Sequence, residues 1–223
     1  LSLAVVSTYN QVEYGIYTNK DYGNVRGLEL KFDYSFNNLF VQTNYTYQYT
    51  KGNADNPSQT FNRQGASIDE VIRLIPMSWD QRHTLNGSLI YGTDKYGGSM
   101  TAYYNSGSPY TFTPQSESVL SRINLYPNND YRPEKYSVDC SFYYRFKLLG
   151  GYNANLDINI YNLFDRLNEE WVNDQTGRAY TAVIKETDIA SHRSDFNDYE
   201  DRVKNPSMYS SPRMVKVGIG VNF

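Results

Sequence analysis

The sequence predicts an all-β chain: a transmembrane, antiparallel, up-and-down β-barrel wall with lipid against one face and water against the other. Three observations predict it. Segments of about 10–12 residues alternate apolar and polar positions. The connections between them are alternately short and long. Charge keeps to one face of the segments, while aromatic side chains gather towards their ends.

The strands follow in order. Residues 3–10 read as a weaker strand that precedes the rest. "VRGLELKFDYSF" (25–36) sets Leu28, Leu30, Phe32, Tyr34 and Phe36 on one face, with Glu29, Lys31, Asp33 and Ser35 on the other. After Asn37-Asn38, "LFVQTNYTYQYT" (39–50) aligns Leu39, Val41, Thr43, Tyr45, Tyr47 and Tyr49. Asn tolerates the positive φ of a two-residue hairpin turn. Such a turn pairs Phe36 with Leu39, Tyr34 with Val41 and Phe32 with Thr43, which brings the two apolar faces together. "RHTLNGSLIYG" (82–92) presents Leu85, Leu89 and Tyr91; "GGSMTAYYN" (97–105) presents Met100, Ala102 and Tyr104. "KYSVDCSFYYRF" (135–146) presents Tyr136, Val138, Cys140, Phe142, Tyr144 and Phe146. "YNANLDINIY" (152–161) presents Ala154, Leu156, Ile158 and Ile160, and the terminal "PRMVKVGIGVNF" (212–223) presents Val215, Val217, Ile219, Val221 and Phe223.

Short connections (37–38, 93–96, 148–151) alternate strictly with long ones (51–81, 106–134, 162–211), so all the long ones fall at one end. Barrels of bacterial outer membranes share this asymmetry, with short periplasmic turns and long extracellular loops.

Across the seven better strands the apolar parity takes in about 34 positions, none of them Asp, Glu, Lys or Arg, where roughly seven would be expected. The opposite parity carries Glu29, Lys31, Asp33, Asp139, Arg145, Asp157 and Lys216. A soluble sandwich would also keep charge off its core face. The aromatics discriminate: Tyr47, Tyr49, Tyr104 and Tyr136 sit towards the long-connection end. Tyr34, Phe36, Tyr91, Tyr144, Phe146 and Phe223 sit towards the short-turn end, with Leu85, Leu156 and Ile219 between. Two aromatic bands around an aliphatic belt match two membrane interfaces.

Composition agrees. The chain has 223 residues, 23 of them Tyr, whose apolar ring and wet hydroxyl suit an oil–water boundary. The net charge of -3 gives no reason to expect a nucleic-acid partner. One cysteine, Cys140, leaves no internal disulfide framework, and no zinc-ligand spacing occurs. The mean hydropathy of -0.66 is compatible with strands that alternate. The opening "LSLAVVSTYN" lacks the charged n-region, long apolar core and cleavage site of a signal peptide.

Four segments carry a family resemblance. "NVRGLELKF" (24–32) resembles the Gly-x-Glu strand, and "WDQRHTLNGSL" (79–89) the loop-to-strand segment, of TonB-dependent outer-membrane receptors. "NLFDR" (162–166) resembles the motif that tops their penultimate strand, and "VGIGVNF" (217–223) their terminal strand. The chain is similar to the C-terminal part of that barrel. The resemblance implies the last seven or eight of 22 strands and a single β-barrel segment over residues 1–223. The plug, and the TonB contact made through it, are expected outside this chain. It also implies a location in the outer membrane of a Gram-negative bacterium, with extracellular long loops, and uptake of a solute.

On this reading the polar parity faces a lumen, lined by Glu29, Lys31, Asp33, Asn44, Asn86, Asp139, Arg145, Asp157, Asn159 and Lys216. Val217, Ile219, Val221 and Phe223 form the signal for the outer-membrane assembly machinery. Outer-membrane lipid is the expected surrounding, and a surface lipoprotein or other envelope protein a candidate partner. No cofactor is expected. The only weak cation candidate is Asp195, Asp198, Glu200 and Asp201, which lack EF-hand spacing. "SIDEVIRL" (67–74) reads as a short loop helix with Ser67 and Glu70 as its capping box. Asp80 and His83, with Ser78 or Ser88, suggest no hydrolase, because residues three apart on a strand point to different faces. Two other readings stay open: a structural or adhesive barrel that transports nothing, and a soluble Tyr-rich binding domain.

Overall fold

The computed structural model describes residues 2–7, 13–19, 21–56, 59, 73–114, 126–148, 150–179 and 206–222. Every named strand pairing is antiparallel. The main sheet is built from β3 (Gly23–Phe36), β4 (Leu39–Gly52), β6 (His83–Gly92), β7 (Tyr96–Asn105), β10 (Lys135–Lys147), β11 (Asn153–Tyr161) and β12 (Met214–Asn222). These seven lie side by side in chain order, as an up-and-down meander, and a short β5 (Ile75–Pro76) adds to β4. The seven better strands of the sequence are all present, within a few residues of their expected bounds.

The N-terminal expectation needs correction. The strand expected over 3–10 is β1 (Ser2–Ser7), and it pairs with an unexpected β2 (Glu13–Thr18) in a separate two-stranded sheet. A second small sheet, β8 (Pro109–Tyr110) with β9 (Asp130–Tyr131), divides a connection in which no strand was expected.

The hairpin register agrees with the turn argument: Phe36 faces Leu39, Tyr34 faces Val41 and Phe32 faces Thr43. Asn37 holds φ at 49°, the left-handed conformation an amide side chain tolerates. With antiparallel neighbours throughout, the connections between β4 and β6, β7 and β10, and β11 and β12 all lie at one end. The short turns lie at the other.

No second layer covers the apolar face among the described residues. Phe32 is 57% exposed, Phe142 51% and Ile219 74%. A soluble sandwich would bury these side chains against a facing sheet. Instead, buried apolar residues gather mostly at the long-connection end, where Ile75, Met77, Tyr110 and Ala179 pack among loops. The main sheet is open: β3 and β12 are its two edges, and no pairing joins them among the described residues.

The charge-free face has a limit at the long-connection end. Arg26 stands opposite Tyr49, and Lys51 opposite Asn24, both on the apolar parity. The absence of charge expected for the whole apolar parity therefore holds only from Leu28 towards the short turns, because Arg26 lies on that parity beyond it.

Candidate functional site

Register turns the polar parity into continuous rows. Lys31, Asn44, Asn86, Tyr103 and Ser137 stand opposite one another across five strands. The next row is Asp33, Gln42, Ser88, Thr101 and Asp139. A third runs Ser99, Ser141, Asn159 and Lys216, with the Ser99 and Ser141 hydroxyls 2.7 Å apart. All ten residues expected to line a lumen fall on this one face.

They do not converge equally. Asn44, Asn86 and Asp139 border a shallow depression of about 340 Å³, with Gln42, Ser88, Thr101, Tyr103 and Ser137 completing a wall of amides and hydroxyls. Lys31 pairs with Asp33 at 3.1 Å near the β3 edge, both well exposed. Such a pair contributes little stability. Asp157 accepts from the Asn155 amide, Arg145 lies towards the short turns beside Asn155, and Lys216 stacks over the Tyr161 ring at 5.2 Å.

Asp139 has a second use that parity did not indicate. Its Oδ1 accepts from the Asn162 backbone N–H at 2.8 Å. Asn162 opens "NLFDR", and its side chain closes that loop. Its Oδ1 accepts from Arg166 N at 2.9 Å, while its Nδ2 donates to the Arg166 carbonyl at 2.9 Å and the Ser211 carbonyl at 3.0 Å. Asn162 and Asp165 both take φ of 54°, and Asp165 accepts from Arg213 N at 2.7 Å. The motif is a knot that fastens the upper ends of β10, β11 and β12.

The loop above β4 is fastened by Asp80, which is wholly buried. Its carboxylate accepts from Thr50 N at 2.7 Å, Arg82 Nε at 2.8 Å and the Tyr131 hydroxyl at 3.1 Å. His83 has a different partner, the Tyr45 hydroxyl at 2.8 Å. The two side chains thus serve separate contacts rather than one proton relay. Asp55 joins the same assembly, accepting from Ser78 N at 2.8 Å and Asn128 Nδ2 at 2.9 Å. Asn168 imitates a strand neighbour, accepting from Tyr136 N at 3.0 Å and donating to the Tyr136 carbonyl at 2.9 Å. Sequence reasoning missed Asp55, Asn128 and Asn168. Their one local signal was an Asn or Asp in a long polar connection, which does not name a partner.

In the small loop sheet, the Tyr110 hydroxyl donates to Asp130 at 3.1 Å. Burial first, and then the adjacent Asp130 charge, push its pKa up to about 12. For the Tyr131 hydroxyl burial again raises the pKa, with Asp80 adding to the effect.

Three expectations lie beyond this description. Residues 194–202, with the Asp195, Asp198, Glu200 and Asp201 cluster, are outside the described residues, as are Phe223 and most of the 67–74 helix. Arg73 and Leu74, which are described, are not helical. Val217, Ile219 and Val221 lie exposed on the apolar parity of the edge strand β12.

No protein-family model, curated protein or solved structure matches this chain.

Proposed function

We propose that this sheet is wall from a closed outer-membrane β-barrel that receives and transports a solute. One observation carries the reading: a face of aliphatic and aromatic side chains lies bare on a sheet whose other face is mostly amides, hydroxyls and charges, interrupted near the short turns by the Phe40–Ile90 pair. Water does not tolerate so large a contiguous apolar surface on a lone domain. Lipid does, and Arg or Lys at mid-bilayer would cost about 2–4 kcal/mol there. Closure with further strands would also remove the bare β3 and β12 edges.

In this reading the long connections face the cell exterior. Their interlocked Asp80, Asp55, Asn162 and Asn168 contacts hold a firm rim on which a solute lands. The amide and hydroxyl rows of the polar face then offer it successive hydrogen bonds. Energy from TonB, delivered through a plug, comes from the resemblance alone.

Labelling separates this reading from a soluble domain. In a Cys140→Ser background, single cysteines at Phe142 and Ile158 are compared with cysteines at Ser141 and Asn159. After insertion into vesicles, brominated lipid should quench a fluorophore on the first pair only. Equal quenching on both pairs, or none, removes the membrane reading. Uptake is tested on iron chelates, cobalamin, peptides and glycans in cells with and without TonB. A transporter loses uptake without TonB but keeps surface binding. An adhesive or structural barrel shows no TonB-dependent uptake of any of them.

A further inference from the structure

Building on the membrane reading, we propose that Arg26, Lys51 and Arg82 hold the phosphate of a phosphorylated, multiply acylated glycolipid in the outer leaflet.

Two of these cations lie against one ring, and the third stands across the ladder from it. Arg26 stands directly across the ladder from Tyr49, on the same face. Lys51 Nζ lies 4.9 Å from the Tyr49 ring centroid, and the Arg82 guanidinium carbon 3.9 Å from it. A phenolic ring attracts cations to its face and holds their flexible stems in place.

The charges are not cancelled. Only Arg82 has a carboxylate, Asp80, which grips its Nε at 2.8 Å while Nη2 donates to the Tyr131 hydroxyl at 2.9 Å. That arrangement fixes the guanidinium without sealing it, since its side chain is still 27% exposed. Arg26 Nε donates to a neutral acceptor, Asn24 Oδ1, at 2.8 Å, and the residue is exposed. Neither Arg26 nor Lys51 has an ion-pair partner among the described residues. Among the described residues the three cations thus share one ion pair, Asp80–Arg82, although the Asp21 and Asp55 carboxylates border the depression beside Lys51. At another ring on this face, Tyr136 of β10, the arrangement differs: Arg166 stacks 4.9 Å away but pairs with Glu134 at 3.4 Å.

Position selects the class of anion. Immediately below the cluster, on the same face, come the cross-strand rows Leu28, Tyr47 and His83, then Leu30, Tyr45 and Leu85. A ligand on this surface meets phosphate-binding cations above and hydrocarbon-compatible side chains below. A free anion uses only the first, whereas an acylated phosphate uses both. Guanidinium groups suit phosphate because their planar donors can bind two of its oxygens. The cluster lies at the long-connection end, which is the external leaflet in this reading. The outer leaflet of a Gram-negative outer membrane is made of phosphorylated glycolipid.

The test uses the full protein in detergent, with bisphosphorylated lipid A as the probe. Dephosphorylated lipid A, phosphatidylethanolamine and inorganic phosphate are the comparisons. Retained lipid is counted by native mass spectrometry. The Arg26→Gln/Lys51→Gln protein should bind bisphosphorylated lipid A at least about tenfold more weakly than the parent. A Lys31→Gln/Lys216→Gln protein, with the same charge change on the polar face, should bind like the parent. Equal retention by both variants overturns the proposal. So does phosphate binding that is as tight without acyl chains, or retention unchanged by dephosphorylation. Brominated-lipid quenching of a fluorophore on Cys140, with the same proteins inserted into vesicles, separates the two levels. Without quenching, the membrane reading fails and this inference with it. With quenching but no effect of Arg26→Gln/Lys51→Gln, only this inference fails.

Discussion

Tyr143 lies over Gly97, its direct partner in the β7–β10 ladder, and its hydroxyl donates to the Thr93 carbonyl at 2.7 Å. The contact explains a glycine in mid-sheet. A Cβ at residue 97 would meet both the Tyr143 ring and the Tyr91 carbonyl at 2.6 Å, closer than atoms normally approach. The ring occupies the space that two side chains would otherwise contest, and its hydroxyl fastens the nearby short turn.

The first prediction tests that contact. Gly97→Val should displace the Tyr143 ring and destabilise the protein by about 1–3 kcal/mol, as overpacking does. Tyr143→Phe keeps the ring and should lose only about 0.5–1.5 kcal/mol. Urea midpoints of the refolded protein measure both. A Gly97→Val midpoint equal to that of the parent would contradict the packing account.

Asp80 should behave as a fastener. Asp80→Ala leaves Thr50 N without its acceptor and Arg82 without its counter-charge, and breaking such a buried pair costs about 3–5 kcal/mol. Asp80→Asn keeps one carbonyl acceptor and should be milder. The expected phenotype is local: faster protease cleavage in the segments around residues 53–82 and 126–134, with strand content preserved. Loss of the whole sheet instead would show that the loop network is needed for folding.

Parity predicts opposite responses from adjacent residues. Ile158→Arg puts a cation on the apolar face and should cost about 2–4 kcal/mol in lipid, whereas Asn159→Arg should be close to neutral. Yields of heat-modifiable protein in the outer-membrane fraction report the difference. Similar losses from both substitutions would argue against one dry and one wet face.

Tyr110 predicts a pH dependence in the loops. Its folded pKa is raised from 10.0 to about 12. The folded state thus holds the phenolic proton more tightly than the unfolded chain does. The associated stability is fully present below pH 10 and is lost as pH rises through about 12. Limited proteolysis across that window should show residues 109–114 and 126–131 becoming accessible. Tyr110→Phe removes the hydrogen bond to Asp130 and should flatten the pH response. An identical alkaline transition in Tyr110→Phe would assign it to another group.

The seven long strands, the register of β3 against β4 and the division between an apolar and a polar face are all written in the order of residues. Each is a local property: a period of two places side chains, and the turn at Asn37-Asn38 sets which residues meet. How the long connections fasten emerges from the folded chain alone. Asp80 reaches Thr50 across 30 residues, and Asn128 reaches Asp55 across 73. The folded chain also places Asp139 in the Asn162 knot as well as on the polar face, and Lys51 and Arg82 against the Tyr49 ring with Arg26 across the ladder. No periodicity encodes such contacts. They depend on which loop ends the antiparallel order brings side by side, and a polar residue in a loop carries no local mark of its distant partner.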